Sequence, residues 1–451
     1  MDSDGDLDLY VARGGTEEKM GSTSSQDVIY MNDGKGNFTL QSTALPAFTE
    51  SNSAVRASDV DHDGDLDLFV SGRNVPFQYP KGTVSRLLRN DSKSGTIKFV
   101  DVTAQIAPEL LQEALLCDAV WADYNQDGWA DLVVAGEFLP IQVYQNTKGR
   151  LKKLTDTGLE QASGMWGSIT SADFDLDGDM DFVAGNMGKN TLMRASAKQP
   201  VEVLHGDLDG NGVYDVFPFV YFQNAEGTPI SAPLFGKDDT HKQMNSTRPR
   251  FVYYKDFGKV TQETFLNESE KKKAQKLVVM ENASMYIENK GQGKFELHEL
   301  PAMAQVSAMN GMQVLDANQD GYLDILYIGN NFGNEVAMGR YDASNGGVLL
   351  GGPKGFQYVL HSGILVPGDA KALVGIQIGN GLAYVALQNR GAMKVFKPVT
   401  SWVKATVPPG KDFSYVFKGR TQKVAWTYGA SYLSQSNQSQ AFIPAGAKLM
   451  Q

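Results

Sequence analysis

Residues 59–67 read DVDHDGDLD, and this stretch decides the fold class. Carboxylates occupy loop positions 1, 3, 5 and 9, and a glycine occupies position 6. Alternate side chains then direct oxygen atoms toward one point, and the glycine permits the sharp turn that aims the carbonyl of position 7 at the same point. The pattern predicts a loop that wraps a hard cation with Asp59, Asp61, Asp63, Asp65 and Asp67.

The pattern occurs six times in one register, and nearly every copy precedes apolar, β-prone residues such as LYVA, LFVS, LVVA, FVAG and ILYI. Each loop is therefore expected to lead into a buried strand. The glutamate that EF-hands carry at position 12 is missing from every copy. The predicted ligands of the other five copies, position-7 carbonyls included, are Asp2, Asp4, Asp6 and Asp8; Asp123, Asn125, Asp127, Trp129 and Asp131; Asp173, Asp175, Asp177, Asp179 and Asp181; Asp207, Asp209, Asn211, Val213 and Asp215; and Asp316, Asn318, Asp320, Tyr322 and Asp324.

Calcium is the cation that these loops predict. One copy alone could be a solvated Asp–Gly turn, but a turn does not need four converging oxygen side chains, because like charges repel unless a cation lies between them. Ligation by oxygen alone favours Ca²⁺ over zinc or copper, and a flexible loop favours Ca²⁺ over Mg²⁺. We expect about five or six structural Ca²⁺ ions, one for each loop.

The loops recur at a spacing typical of β-propeller blades. Those after the first start at residues 59, 123, 173, 207 and 316, and a repeat of roughly 35 to 60 residues holds about four short strands. A second motif recurs between loops: a strand, an asparagine, a glycine-rich hairpin and an apolar residue, as in VIYMNDGKGNFTL. A seventh unit at residues 373–389 keeps this rhythm without carboxylates. We predict an all-β propeller with calcium loops in most blades and seven blades in all, with eight as the alternative.

The repeat pattern also predicts the domain organisation. Residues 1–400 are assigned to the propeller, interrupted by an insertion at about 231–280. Within it, residues 260–279 place apolar side chains at helical spacing and predict an amphipathic helix. Residues 401–451 lack carboxylate clusters and predict a C-terminal β segment, which either closes the propeller or forms an appended unit.

Composition excludes several classes of protein. The 451 residues carry a formal charge of −11, and six bound Ca²⁺ ions would bring it to about +1, so the acidity argues against a nucleic-acid surface. The single cysteine, Cys117, lies in an apolar run and cannot form an internal disulfide. No run of 18 apolar residues predicts a membrane span. Position 1 of the first loop would precede Met1, so we expect a longer exported protein whose export signal is not in this chain.

The loops and their flanking strands resemble the FG-GAP/VCBS repeats of integrin-α-type propellers. More narrowly, the chain resembles bacterial VCBS-repeat proteins that end in a UnbV/ASPIC-like segment. The resemblance implies a calcium-loaded propeller from an exported, often surface-attached protein of Gram-negative bacteria, commonly non-enzymatic and in some cases associated with polysaccharide uptake or adhesion. It rests on residues 121–146, 163–190, 206–221, 339–351 and 428–440.

Catalytic motifs are absent. The five histidines are scattered without a zinc pattern, and neither a nucleophile elbow nor a phosphate loop occurs. Asp238, Asp239 and His241 form the least implausible polar cluster outside the loops, and we assign no catalytic residue. Tryptophans beside the loops could stack on a sugar ring, although packing between blades is favoured; they are Trp121, Trp129 and Trp166.

The sequence therefore favours a non-catalytic, calcium-binding binding or scaffold module that engages a glycan or a protein partner. The expected location is extracytoplasmic, at the cell surface, the outer membrane or the periplasm. The alternative is a polysaccharide lyase or hydrolase built on a propeller platform. A third hypothesis is a purely architectural propeller within a longer chain.

Overall fold

The computed structural model describes residues 1–450 apart from 3, 5, 16, 17, 20, 94, 225, 380, 408–411, 425 and 427–440. Strands make up 41% and helices 9% of the structure, which confirms the all-β class. None of the helices in these described ranges has the length and hydropathy needed to cross a membrane.

Six antiparallel sheets follow one another along the chain. Consecutive strands are neighbours within most of them, but sheet 4 omits the residues between Gly185 and Met285, and Gly164–Met165 of sheet 3 pairs with Asp131–Leu139. Sheets 2 to 5 have at least four strands, and sheets 1 and 6 have three described strands. The strands are Leu9–Val11, Val28–Asn32 and Phe38–Gln41 in sheet 1; Asn52–Ser58, Asp67–Gly72, Arg86–Asn90 and Phe99–Asp101 in sheet 2; Leu115–Ala122, Asp131–Leu139, Gln142–Asn146, Leu151–Lys153 and Gly164–Met165 in sheet 3; Ser168–Ala172, Asp181–Gly185, Met285–Asn289 and Phe295–Glu299 in sheet 4; Met309–Leu315, Asp324–Gly329, Gly347–Leu350 and Gln357–Tyr358 in sheet 5; and Ala370–Ile378, Gly381–Gln388 and Lys394–Phe396 in sheet 6.

In sheets 2 to 5 the predicted ion loop connects the first strand to the second. The second strand begins at the position-9 aspartate and continues into the apolar residues that the sequence places there. In sheet 2 this strand, Asp67–Gly72, is buried along its whole length. A strand buried on both faces is expected where sheets stack on each other.

Successive sheets pack face to face. The first strands of sheets 2 and 3, 3 and 4, 4 and 5, and 5 and 6 lie side by side. Each neighbouring pair also shares an apolar core, such as Phe69 and Leu87 of sheet 2 with Leu132 of sheet 3. Trp121 and Trp166 are buried in two of these cores, so they pack between sheets. The order agrees with propeller blades, whereas closure of a ring and the number of seven blades stay predictions.

The insertion is larger than the predicted segment 231–280. Sheet 4 runs from Gly185 directly to Met285 across the insertion, because Asp181–Gly185 pairs with Met285–Asn289. A separate four-stranded sheet lies between them and itself carries loop 207–215. Its strands are Val201–Gly206, Asp215–Gln223, Pro229–Pro233 and Gln275–Val279.

The single amphipathic helix predicted over residues 260–279 is wrong. The segment forms two one-turn helices, Gln262–Phe265 and Glu268–Lys271, followed by the strand Gln275–Val279. Asn267 separates the two turns, because its side chain accepts the backbone N–H groups of Ser269 and Glu270 and starts a new helix. The strand then pairs with Val201–Gly206, which supplies hydrogen-bond partners for its backbone.

The remaining helices are short. The α-helices outside that segment are Thr103–Ile106, Lys237–Gln243 and Tyr254–Phe257, and the 3₁₀-helices are Thr23–Ser25, Pro108–Leu111, Asn245–Thr247, Ala302–Gln305 and Val336–Met338. Two of the α-helices, Tyr254–Phe257 and Gln262–Phe265, contribute Phe257 and Phe265 to the apolar core of the insertion, which also contains Phe217 and Phe219.

The C-terminal segment contains two small sheets. Trp402–Ala405 pairs with Ala441–Pro444, and Phe413–Phe417 pairs with both Arg420–Val424 and Lys448–Leu449. The segment is β-structured in its described part, whereas the UnbV/ASPIC-like stretch 428–440 lies outside the described residues. Whether this segment closes the propeller stays a prediction.

A buried ion pair ties three sheets together near their first strands. Arg56 of sheet 2 contacts the carboxylate of Asp118 of sheet 3, and both side chains are at most 2% exposed. The second carboxylate oxygen of Asp118 accepts the backbone N–H of Ile169 in sheet 4 at 2.9 Å. The guanidinium also donates to the carbonyl of Ala119 at 2.9 Å.

We predict that Asp118→Asn lowers the free energy of unfolding by about 3–5 kcal/mol, because Arg56 would stay buried without its counter-charge. Urea unfolding followed by fluorescence would measure the loss. The control is Glu299→Gln, which removes a solvent-exposed pair with Lys189 and should cost less than about 1 kcal/mol. Equal losses in the two variants would contradict the prediction.

Candidate metal centre

The five complete loops share one backbone frame. The N–H of the position-6 glycine donates to the position-1 carboxylate at 2.9–3.2 Å. The N–H of position 7 donates to the position-5 side chain at 2.7–3.0 Å, and that of position 5 donates to position 3 at 2.9–3.3 Å. Positions 4 and 6 both adopt positive φ in every loop. Positive φ at position 6 is the reason for the glycine.

Several carboxylate oxygens in this frame are left without hydrogen bonds. The position-1 Oδ1 atoms of Asp59, Asp173 and Asp207 are buried and have no partner among the described residues. Oxygens of Asp59, Asp61 and Asp63 lie within 4.8 Å of one another, and the same holds for Asp173, Asp175 and Asp177. A buried oxygen without a donor, next to two further carboxylates of the same loop, fits a cation, because a cation would satisfy that oxygen and offset the like charges.

The first loop follows the same frame where it is described. The N–H of Asp6 donates to Asp4 at 3.1 Å, and the N–H of Asp4 donates to Asp2 at 3.4 Å. Asp8, at position 9, accepts the N–H of Asn32 at 3.0 Å. Both carboxylate oxygens of Asp6 lack a hydrogen-bond partner among the described residues.

The position-9 aspartates have a structural role that the motif alone does not reveal. In sheet 2, Asp67 is buried and its two oxygens accept the N–H groups of Val60, at position 2, and Asn90, in the third strand. Asp181 accepts the equivalent backbone N–H groups, those of Phe174 and Asn289. Asp324 accepts the N–H groups of Ala317 and Gly351. Each of these carboxylates therefore joins its loop to its sheet, in addition to any contact with an ion.

Burial raises the pKa of these position-9 carboxyls. Desolvation is the largest cause, and neighbouring loop carboxylates add to it. The pKa reaches about 7 for Asp67, Asp215 and Asp324, and about 8 for Asp131 and Asp181. The ionised form is therefore disfavoured until a positive charge enters the loop.

The recurring asparagine of the second motif connects consecutive loops. The side-chain amides of Asn90, Asn146 and Asn289 donate to the carbonyls of Met1, Val60 and Tyr124 at 3.2, 3.0 and 2.8 Å. Each acceptor is position 2 of the loop in the preceding sheet. The asparagine was visible in the sequence as a repeat, but its partner lies one repeat earlier and could not be identified from spacing.

Two further contacts link the loop tips. The rings of His62 and Trp129 stack with centroids 3.8 Å apart and planes 5° apart, which joins loops 59–67 and 123–131. The side-chain amide of Gln126 donates to the carbonyl of Gly178 in the next loop at 3.1 Å. Trp129 is thus engaged in a contact between loops.

A pocket of about 310 Å³ lies between sheets 4 and 5, beside loop 173–181. Its lining includes Asp175 of that loop, Glu288, His298, Lys354 and Phe356. His298 Nε2 lies 2.7 Å from Glu288 Oε2. Apart from Asp175, which is a predicted ligand, the sequence analysis assigned none of these residues to a site. The only signal was the alternation in FELHE, which places Glu296 and His298 on one face of a strand.

The polar cluster of the insertion does not converge on one point. Asp238 accepts the hydroxyl of Tyr254 at 2.6 Å, and Asp239 pairs with Lys242 at 3.0 Å on the exposed side of helix Lys237–Gln243. His241 is buried on that helix. Asp238, Asp239 and His241 therefore do not form a common site.

Residues 1–70 and 123–184 match the FG-GAP-like repeat family. The two segments contain the first loop and loops 59–67, 123–131 and 173–181, so the FG-GAP part of the expected resemblance is confirmed for them. The VCBS and UnbV/ASPIC parts stay predictions. No curated protein matches the chain.

Two solved structures show distant similarity. One is an Agrocybe aegerita lectin described as recognising non-reducing terminal N-acetylglucosamine, with 16% identity, 62% of this chain and 76% of the lectin covered, and a TM-score of 0.25. The other is the V. cholerae biofilm matrix protein Bap1, with 10% identity, 90% and 75% covered, and a TM-score of 0.30. TM-scores this low do not establish a shared fold.

We predict that Asn146→Ala destabilises the protein by about 2–4 kcal/mol, because it removes the side chain that bonds the buried carbonyl of Val60, the half-buried carbonyl of Ala130 and the N–H of Gly149. Thermal and urea unfolding would measure the change. The matched control, Asn37→Ala, removes an exposed asparagine and should cost less than about 1 kcal/mol. A loss at Asn146 no larger than the control would refute the linking role.

Proposed function

We propose that this chain is a non-catalytic, calcium-binding β-propeller that acts outside the cytoplasm as a binding or scaffold module for a glycan or a protein partner. The observation that carries the proposal is the backbone frame shared by the five loops. In three of these loops the position-1 carboxylate has a buried oxygen without a donor among the described residues, and in two of them three carboxylates converge. All predicted ligands are oxygen atoms, which suits Ca²⁺.

The ions have a structural role in this proposal. Each loop joins the first two strands of a sheet, and the asparagines connect one loop to the next. An ion that neutralises a loop therefore stabilises a junction between sheets. An ion that binds only the folded form raises the free energy of unfolding by about 4 kcal/mol when it is present at a thousand times its dissociation constant. Millimolar Ca²⁺ outside the cytoplasm would fill sites of weak to moderate affinity.

The pocket between sheets 4 and 5 supports a glycan as the ligand. Carboxylate and imidazole groups of Glu288, Glu299 and His298 can exchange hydrogen bonds with sugar hydroxyls, and Phe356 offers an aromatic ring to the apolar face of a pyranose. Asp175 places the pocket beside loop 173–181. An ion in that loop would therefore also reduce the negative charge next to the ligand.

A polysaccharide-degrading enzyme is the second candidate, and the Glu288–His298 pair favours it. The pair lies in a pocket, as an acid–base pair would. Lys290 and then His298 lower the pKa of Glu288, so this carboxylate would serve as a base or an electrostatic partner rather than as an acid. The alternative interpretation is that Glu288 and His298 form a structural contact between two paired strands.

We predict that Ca²⁺ binding at neutral pH releases protons. The position-9 carboxyls with pKa values of about 7 to about 8 are partly protonated without a cation, and Ca²⁺ binds the ionised form. Because protons compete, the apparent affinity should fall as the pH decreases from about 8 to about 6. Calorimetric titration of the chelator-treated protein in two buffers with different ionisation enthalpies would count the protons. Binding enthalpies that are independent of buffer would contradict this prediction.

The function is tested by incubating the purified chain with bacterial, plant and host polysaccharides in Ca²⁺ and in chelator, followed by size-exclusion chromatography. We expect one or more polymers to co-elute with the protein in Ca²⁺ only, without becoming shorter. Shortening of a polymer in Ca²⁺ would replace the binding module with the enzyme. If no polymer co-elutes or shortens, the glycan partner is refuted and a protein partner is left.

The pocket is tested in the same experiment with His298→Ala, which should reduce co-elution about tenfold by removing a hydrogen-bonding group from the lining. The control is His361→Ala, an exposed histidine that does not line the pocket, and it should bind as the unmodified chain does. Equal binding by both variants would place the glycan elsewhere.

A further inference from the structure

The C-terminal hairpin, formed by Phe413–Phe417 and Arg420–Val424, lies against loop 316–324 of sheet 5. Side-chain donors on this hairpin contact three successive backbone carbonyls of the loop. Lys418 donates to Gln319, Arg420 donates to Asp320, and Gln422 donates to Gly321.

Further contacts surround the interface between the hairpin and loop 316–324. The Arg420 guanidinium lies 4.3 Å from the ring centroid of Tyr322, at position 7 of the loop. Gln422 is fully buried, and its Oε1 atom has no hydrogen-bond partner among the described residues. On the other side of the loop, the amide of Gln319 donates to the carbonyl of Ser401 at 2.6 Å.

The hairpin makes loop 316–324 different from the other complete loops. Gly321 is buried, whereas Gly64, Gly128 and Gly212 at the same position are exposed. A Cβ atom placed on Gly321 would lie 3.2 Å from Cδ of Arg420, while a Cβ on the equivalent glycine of the other loops would have nothing within 4 Å. The position-1 carboxylate, Asp316, is completely buried.

We propose that a cation in loop 316–324 holds the C-terminal hairpin in place, so that docking of the C-terminal segment depends on the occupancy of this loop, which the hairpin contacts through three side chains, whereas Lys423 alone reaches the carbonyl of Gly178 in loop 173–181, at 3.5 Å. The inference rests on calcium binding by the loops, as proposed above. Without a cation, the carboxylates of Asp316, Asp320 and Asp324 repel each other and the loop spreads. The three carbonyls that face the hairpin then lose their alignment, and the donors of the hairpin lose their acceptors.

Bound calcium leaves the attraction of the basic hairpin for the loop intact. Three carboxylates and one Ca²⁺ ion give the loop a net charge of about −1, which still attracts Arg420 and Lys418. Because binding equilibria are reciprocal, the docked hairpin raises the calcium affinity of the loop by the same factor by which calcium favours docking. The hairpin and the ion therefore support each other.

Hydrogen exchange of the full chain, with Ca²⁺ and with chelator, tests this linkage. In the unmodified chain Ca²⁺ should slow amide exchange in residues 413–424 about tenfold. Asp320→Ala removes a ligand of loop 316–324 and leaves the carbonyl that Arg420 contacts, so it should abolish this slowing. Asp63→Ala removes the same position from the uncovered loop 59–67 and should leave the slowing unchanged.

The outcomes separate this inference from the proposed function. If Ca²⁺ slows exchange in the loops, including 316–324, but not in the hairpin, the inference is overturned and calcium binding stands. If Ca²⁺ changes exchange nowhere, both are overturned.

A second variant tests the reciprocal effect from the hairpin side. Arg420→Ala should raise the Ca²⁺ concentration that half-protects loop 316–324 about threefold and should leave loop 59–67 unaffected. An unchanged midpoint at loop 316–324 would overturn the linkage even if Asp320→Ala fails to fold.

Discussion

Converging carboxylates impose the main physical constraint on this fold. Each loop gathers side chains of like charge at the point where two strands of a sheet meet, and the position-9 aspartate carries that charge into the interior. There it accepts backbone N–H groups from its own loop and from the third strand, as Asp67 does. A group that organises a sheet is therefore also a group whose ionised form is disfavoured by burial. A bound cation, as proposed above, would resolve this conflict, because it would stabilise the ionised form that accepts both hydrogen bonds.

Neighbouring repeats depend on each other through the same region. The asparagine that ends the third strand donates to the loop of the preceding sheet, and the apolar faces of successive sheets share their cores. The buried contact of Arg56 with Asp118 adds a polar connection at the first strands. Stability therefore accumulates from sheet to sheet, as in repeat proteins whose units contact only their neighbours. A change in the structure of one loop is therefore expected to weaken two interfaces at once.

The two units that depart from the repeat have distinct places in the structure. The insertion forms its own sheet and apolar core and packs its valines near Phe138 and Met165 of sheet 3. The C-terminal hairpin instead lies on loop 316–324, where its basic side chains meet backbone carbonyls. The pocket beside loop 173–181 lies between regular sheets. Ligand binding and ion binding are therefore adjacent in the proposed function, although they use different side chains.

Much of the local structure could be predicted from the sequence, since it depends on residues close together in the chain. The spacing of Asp59, Asp61, Asp63 and Gly64 was enough to predict the loop. The apolar run after the loop was enough to predict the buried strand. Partners distant in sequence could not be found in this way. The acceptor of Asn146 lies one repeat earlier, His298 meets Glu288 only through strand pairing, and residues 275–279 form a strand because Val201–Gly206 offers an open edge. Local oxygen geometry was determined by the sequence alone. Contacts between loops, the extent of the insertion and the cover over loop 316–324 were decided by tertiary structure, because they depend on which surfaces the packed sheets bring together.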